Sequence, residues 1–356
     1  MKNRVAILIP TYNRIDFILR TISYYASIKS KHPIFIGDAS KKSSEYSVLE
    51  AAKGVVDVHY FHWVKTNENS TIRKTIARLA REASSDYKYC AFQGDDDYFV
   101  SESLSRCADF LDVNLSYATA QGDSAVFRLD RSGPYGNIQY MYPYFSKNPE
   151  LLGDTALSRL IEITDNYWVL NFSVHRTDEL IEDILNGSED VIDRSFGEAI
   201  NSLSMAIRGK SKYIDCLYLV RNGHDRIVEH KDNIDWITTD NWHNSFESVV
   251  DSLSILIQET DKLSDNDSYV YTRNAVKTLL NNKFTTTQQT MLITFLKMRL
   301  GKNTLLLIKN IRRIVYLMRV KFSCSDFTLE CVTSNKSRYH SDFLPILDSV
   351  KNNTDL

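Results

Sequence analysis

Val5-Ala6-Ile7-Leu8-Ile9 is an unbroken apolar run closed by Pro10, the pattern of a central parallel strand buried on both faces. From Ile15 to Ser27 apolar residues recur at Ile15, Ile18, Leu19 and Ile22, which is helical spacing. Pro33-Ile34-Phe35-Ile36-Gly37 predicts a second strand ending at Asp38-Ala39-Ser40, and Val55 to Val64 contains a third. Ser70 or Thr71 is placed to cap a helix through Glu82, with Ile72, Ile76, Leu79 and Ala83 on one face. Tyr89-Cys90-Ala91-Phe92 reads as a short buried strand that stops at Gly94. Strands alternating with helices at this spacing imply βαβ units, hence an α/β fold with a mostly parallel, Rossmann-like sheet.

Beyond Ser101 the pattern is mixed. Helical pieces are predicted at Glu102 to Leu111, Arg159 to Ile163, Leu180 to Leu185 and Glu198 to Ile207. Tyr135 to Phe145 holds too many turn formers for a helix and is expected to loop over a site. Lys212 to Val220 is strand-like and leads into Arg221-Asn222-Gly223-His224. From Asn241 to about Phe322 the chain reads as almost wholly helical, with no proline and no glycine before Gly301. A C-terminal helical region over 236–356 is therefore expected behind the α/β part.

Composition narrows the function. The 43 basic and 45 acidic residues give a net charge of −2, which argues against a general nucleic-acid binder. Five scattered cysteines form no CxxC pair, so neither a zinc ribbon nor a disulfide framework is indicated. The five apolar residues before Pro10 are too few for a signal peptide, and no run of 18 apolar residues occurs, so a cytoplasmic protein is expected.

The chemistry concentrates in Gln93-Gly94-Asp95-Asp96-Asp97-Tyr98-Phe99. Three adjacent carboxylates repel one another by roughly 1 kcal/mol per pair even in water, so they call for a compensating cation. Mg²⁺ or Mn²⁺ takes carboxylate oxygens and keeps further positions for water or phosphate. Open α/β sheets bind ligands at the carboxyl ends of their strands. The loops Thr11-Asn13, Asp38-Ser40 and Asp95-Asp97 converge there if their strands are parallel neighbours.

The residues Val5 to Arg14, Ile36-Gly37-Asp38-Ala39-Ser40 and Gln93 to Asp97, in that order and spacing, resemble the family 2 glycosyltransferases, inverting enzymes of the GT-A fold. The resemblance weakens over 100–230 and ends near 235. It implies a nucleotide-sugar-binding half over 1–105 and an acceptor-binding half over 106–235. Pro10, Thr11, Asn13 and Arg14 match the loop that shapes the nucleotide pocket, and Asp38 matches an acid facing base or ribose. Asp95 and Asp97 match the outer residues of the DxD element, Asp95 toward ribose or metal and Asp97 on the metal; Asp96 lies between them in the nucleotide-sugar site. Arg73, Lys74 and Arg78 stand where the family often has an arginine, Arg78 being the preferred match.

Two departures stand out. Gly37 replaces the first acid of the second motif, and the later Glu-Asp pair appears only as Gly197-Glu198-Ala199. Inverting transfer needs a carboxylate to take the acceptor's proton. Glu198, read as opening an apolar helix, is the favoured base, and Asp193 orients the acceptor or substitutes for it. His224, after the last core strand, is expected to complete the metal site with Asp95 and Asp97. Trp168, Asn171 and His175 lie where sugar or acceptor contacts are expected.

The sequence thus points to a metal-dependent inverting glycosyltransferase moving a sugar from a nucleoside diphosphate, UDP on family frequency, to a glycan or lipid-linked acceptor. Two other readings stay open: a sugar nucleotidyltransferase, which usually needs a Gly-rich loop that Pro10-Thr11-Tyr12-Asn13-Arg14 lacks, and a degenerate sugar-nucleotide-binding subunit of a glycan-assembly complex. Lys302 to Lys321 carries six basic residues and no acid, with Leu307, Ile311, Ile314 and Met318 along one face. That pattern fits peripheral membrane contact through 302–322, or packing against the catalytic domain or a second subunit of a homo-oligomer.

Overall fold

The computed structural model describes residues 4–65, 71–145, 149–186, 191, 193–224, 233–299 and 326–351. Five elements of the first three βα units follow the hydrophobic pattern, β1 (Val5–Thr11), α1 (Ile15–Ser27), β2 (Ile34–Asp38), β3 (Val58–His62) and α3 (Ile72–Ser84), while α2 (Glu45–Ala52) is a helix the pattern does not single out. Thr71 caps α3, its hydroxyl accepting from the Lys74 amide at 3.3 Å. Next come β4 (Tyr89–Phe92), β5 (Tyr98–Phe99) and α4 (Ser101–Val113). The second half holds β6 (Tyr117–Leu129), β7 (Ile138–Pro143), α5 (Ala156–Asp165), β8 (Val174–Arg176), α6 (Thr177–Leu185), α7 (Arg194–Arg208) and β9 (Lys210–Asn222). Helices α8 (Asn233–Ile237), α9 (Trp242–Asp261) and α10 (Asp265–Arg299) follow, then two helices at Leu329–Val332 and His340–Lys351.

One nine-stranded sheet runs β3-β2-β1-β4-β8-β6-β9-β5, with β7 paired to β6. β3, β2, β1 and β4 are mutually parallel, as is the long β6–β9 pair, while β8, β5 and β7 join antiparallel. The fold is α/β, a GT-A-type sheet with a C-terminal helical region. Its two faces carry two cores. One face packs α1, α2 and α4; the other packs α3, α5, α6 and α7. The C-terminal helices divide between them. Phe246, Val250 and Leu253 of α9 and Val276 and Leu279 of α10 join the α5–α7 side. Phe343, Ile346 and Val350 of the last helix cover α1 on the opposite side.

Three local readings change. Tyr135 to Phe145, expected as a loop, contains β7, because its tyrosines alternate along an edge strand hydrogen-bonded to β6. The sequence pattern did not separate β6 itself. Helix α7 starts at Arg194 with Asp193 as its cap, so Glu198 lies one turn inside it and not at its opening. Segment 302–322 lies outside the described residues, and no described helix is long and apolar enough to cross a membrane.

Candidate active site

Strand register builds the site. Thr11 stands opposite Asp38 across β1–β2, and Leu8 stands opposite Phe92 across β1–β4. Continuing β4 past Phe92 brings Asp95 beside Thr11, whose hydroxyl donates to Asp95 Oδ2 at 2.7 Å. On the far side, β5 pairs with β9 at Tyr98–Val220, so the preceding Asp97 meets Arg221 and Asn222. Arg221 Nε donates to Asp97 Oδ2 at 3.0 Å and the Asn222 amide to Oδ1 at 3.2 Å.

The acidic turn is held from beneath by α1 and by its own glutamine. Arg20, 1% exposed, donates to the Asp96 carbonyl at 2.7 Å, and the Thr21 hydroxyl donates to the Asp95 carbonyl at 2.8 Å. Tyr25 donates to Gln93 Oε1, and Gln93 Nε2 donates to the Asp97 carbonyl at 2.9 Å. Gly94 leaves room for the carboxylates: a Cβ there would stand 2.7 Å from Asp96 Oδ1 and 3.1 Å from Asp97 Oδ2.

All three carboxylates are buried, and each is charge-compensated differently. Burial, then the neighbouring Asp96, pushes Asp95 up to about 7, against Arg14 Nη1 at 3.2 Å. Burial acts the same way on Asp96, but hydrogen bonds from His224 and Arg14 overcome it and hold Asp96 below the usual carboxylate range. Asp96 Oδ2 accepts from Arg14 Nη2 at 2.7 Å and contacts His224 Nε2. Asp97 is raised by burial despite the Arg221 guanidinium.

The expected metal set therefore divides. His224 comes to Asp96 rather than to Asp95 or Asp97, because Asp97 faces β9 and both its oxygens are engaged by Arg221 and Asn222. Among the described residues no group of three or more His, Cys, Asp or Glu side chains gathers as a metal cluster. The Asp96–His224 pair nonetheless fits a divalent ion of the kind that takes one or two protein ligands and fills the rest with water and phosphate oxygens. One carboxylate oxygen and one imidazole nitrogen meet there, and a guanidinium already draws on both atoms.

The remaining candidates sort by surroundings. Asn13 adopts φ 55°, and its amide donates to Ser40 Oγ at 2.8 Å, tying the β1 loop to the Asp38 loop beside Pro10. Asp38 is buried, accepting from the Ser40 amide at 2.8 Å and from the Tyr60 hydroxyl. Arg78 is exposed and stacks over Trp63 at 3.8 Å. Arg73 is buried and closes the end of α6 by donating to the Ile184 and Asn186 carbonyls. His175 is 2% exposed in β8, and burial brings it down to about 4, so it is a core residue.

Asp193 is committed to structure. It caps α7 through the Phe196 amide at 2.8 Å and accepts from Trp236 Nε1 at 2.9 Å. Glu198 is half-buried and, among the described residues, has no hydrogen-bond or ion-pair partner. Burial raises the Tyr144 phenol, Arg221 opposes the rise, and Glu198 and Asp97 reinforce it, so Tyr144 feels both the base candidate and the acidic turn. Arg20, Tyr144 and Arg221 are the participants that motif reasoning missed. Arg20 carried a signal, since it lies three residues from Phe17 and four from Tyr24 on the buried face of α1.

Residues 6–161 match the model for glycosyl transferase family 2. No curated protein matches the chain in sequence. Among solved structures, S. aureus TarS 1–349 in complex with UDP-GlcNAc is similar at 13% identity and a TM-score of 0.46, over 77% of this chain and 72% of that one. The mannosyltransferase PcManGT from Pyrobaculum calidifontis, in complex with GDP-Man and Mn²⁺, is similar at 10% identity and a TM-score of 0.38, over 91% and 88%. The match spans the strands that carry Thr11, Asp38 and the acidic turn, and on this sheet the chain is a glycosyltransferase of the GT-A fold.

Proposed function

We propose that the protein is a metal-dependent inverting glycosyltransferase that moves a sugar from a nucleoside diphosphate sugar to a glycan or lipid-linked acceptor. The observation that carries this reading is the meeting of Asp96, His224 and Arg14 beside the Thr11 and Asp38 loops. Asp38 and the Asn13–Ser40 contact form the nucleotide side, and Asp95 faces the ribose from its Thr11 hydrogen bond. Asp96 and His224 would hold Mn²⁺ or Mg²⁺, which when bound would supply positive charge against the leaving diphosphate. Asp97 fixes Arg221 at the floor of the site.

Glu198 is the base that takes the acceptor hydroxyl's proton, because Asp193 has its oxygens occupied by the cap and by Trp236. Tyr144, near both Glu198 and Asp97, lines the path between acceptor and donor. UDP-sugars are the first donors to test, on the family resemblance.

The test is a thermal-shift screen of nucleoside diphosphate sugars with Mn²⁺, followed by turnover of the best donor. Glu198→Gln should keep the donor-induced shift and lose about 100-fold or more in transfer. Asp96→Asn should lose the Mn²⁺-dependent shift. Full transfer by Glu198→Gln, or an unaltered metal dependence in Asp96→Asn, would refute the corresponding role.

A further inference from the structure

We infer that Arg14 is a resident stand-in for the metal in the donor-free protein, and that it transfers to the donor's diphosphate when the metal enters. The inference rests on the proposed Asp96–His224 metal pair and adds what happens at that pair before the donor arrives.

Arg14 makes three contacts at one point: Nη1 to Asp95 Oδ1 at 3.2 Å, Nη2 to Asp96 Oδ2 at 2.7 Å, and Nη2 to His224 Nε2 at 2.8 Å. The guanidinium lies over the Phe17 ring at 4.4 Å, and that ring stacks on His224 at 5.0 Å, so the cation and the imidazole share one apolar backing. A single positive group thus touches the two atoms that would ligate the ion.

The arrangement is internally mismatched. His224 Nε2 meets a donor in Arg14 and an acceptor in Asp96 Oδ2 at the same time. With a proton on Nε2, the nitrogen faces Arg14 donor to donor; without one, it faces Asp96 acceptor to acceptor. One contact is wrong in either state. A divalent ion removes the conflict, since imidazole nitrogen and carboxylate oxygen both donate lone pairs to it. Arg14 also holds its Nε buried without a hydrogen-bond partner. A guanidinium has five donors in a fork that matches phosphate oxygens, and Arg14 uses its fork incompletely here. Both features favour the exchange: the metal satisfies Asp96 and His224, and the diphosphate satisfies Arg14.

The consequence is a coupling between metal and diphosphate. Without an anion to receive Arg14, an entering ion meets a positive charge already seated. Pyrophosphate should therefore tighten Mn²⁺ binding to the wild-type protein.

The test titrates Mn²⁺ alone, and Mn²⁺ with inorganic pyrophosphate, into the full chain, with free Mn²⁺ followed by electron paramagnetic resonance. Arg14→Gln should bind Mn²⁺ alone about tenfold more tightly than wild type, because a unit charge a few ångströms away has been removed. Pyrophosphate should then add less than it adds in wild type. Arg14→Lys, which keeps the charge without the fork, should bind Mn²⁺ alone as weakly as wild type. Circular dichroism of each variant checks folding. Equal or weaker Mn²⁺ affinity in folded Arg14→Gln would overturn the inference while leaving the metal pair standing. Absence of Mn²⁺ binding to wild type with and without pyrophosphate would overturn both.

Discussion

Asp95, Asp96 and Asp97 share a sequence environment, yet no two have the same set of partners, Arg14 alone being shared, by the first two. Thr11 and Arg14 take the first, Arg14 and His224 the second, Arg221 and Asn222 the third. The cluster was legible from its charge density alone. The division of roles was not, because Arg221 is 124 residues from Asp97 and His224 is 128 from Asp96. His32 gives a cleaner case of a side chain fixed by its contacts. Its Nδ1 accepts from the Val5 amide at 2.8 Å, and Nε2 stands 2.8 Å from the Ser101 carbonyl, so the neutral ring donates there. Burial, with Lys31 and Arg4 adding, brings it down to about 4. An unfolded histidine takes its proton near pH 6.5. Between those two values the unfolded chain binds more protons, so stability falls as pH drops from about 6.5 to about 4, by on the order of 2–3 kcal/mol for this residue. His32→Asn keeps an acceptor for Val5 and removes the titration. Its stability, measured by urea unfolding across that window, should fall less steeply than that of wild type. An identical slope would contradict the assignment.

At the scale of elements, strands with unbroken apolar runs declared themselves: β1, β2 and β4 fall where the pattern puts them. β6 did not, because its Tyr117–Leu129 sequence mixes small, polar and apolar residues, and two of its three partners, β8 and β9, lie far along the chain. Helix α7 was read short because Arg194 to Gly197 lacks apolar spacing apart from Phe196, while the cap that starts it is a side-chain contact. Gly37 shows the reverse, a residue whose oddity in sequence has a packing cause. A Cβ there would lie 2.8 Å from Thr75 Cγ2, 3.2 Å from Trp63 and 3.3 Å from Leu79. The volume an acid would need is filled by α3 and the end of β3. Gly37→Ala should cost about 1–3 kcal/mol in urea unfolding. Pairing it with Thr75→Ser removes the offending methyl and should recover part of that loss. No recovery in the double variant would place the strain elsewhere.

Across the whole molecule, the α/β class and the carboxyl-edge location of the site followed from the first hundred residues. How the last third is used did not. α9 and α10 build onto the core that holds α7, and hence onto Glu198's helix, while His340–Lys351 closes the opposite face over α1. The last helix is further tied by Ser349 to the Tyr98 hydroxyl at 3.1 Å and by the Val350 carbonyl to the Gly136 amide at 2.9 Å. Hydrophobic periodicity marks a buried face without saying which face of which sheet it meets. Phe343 is fully buried there, and Phe343→Ala should lower stability by about 3–5 kcal/mol. Because α1 carries Arg20 and Thr21 and begins directly after Arg14, the same variant should weaken the donor-induced thermal shift. Wild-type stability in Phe343→Ala would show that the helix adds nothing to the fold.

The docking of that last helix has a consequence for how the protein is made. Ile18 and Ile22 share one core with Ile346 and Val350, which lie more than 320 residues further along the chain. Contacts at such separation form slowly, since the intervening chain must be closed first. During synthesis the nascent sheet therefore waits with α1 partly uncovered, a sticky surface of the kind chaperones hold. The scaffold beneath the acidic turn is completed only once Phe343 to Val350 have been made, so a chain stalled before them would carry every carboxylate of the site and still lack its finished support.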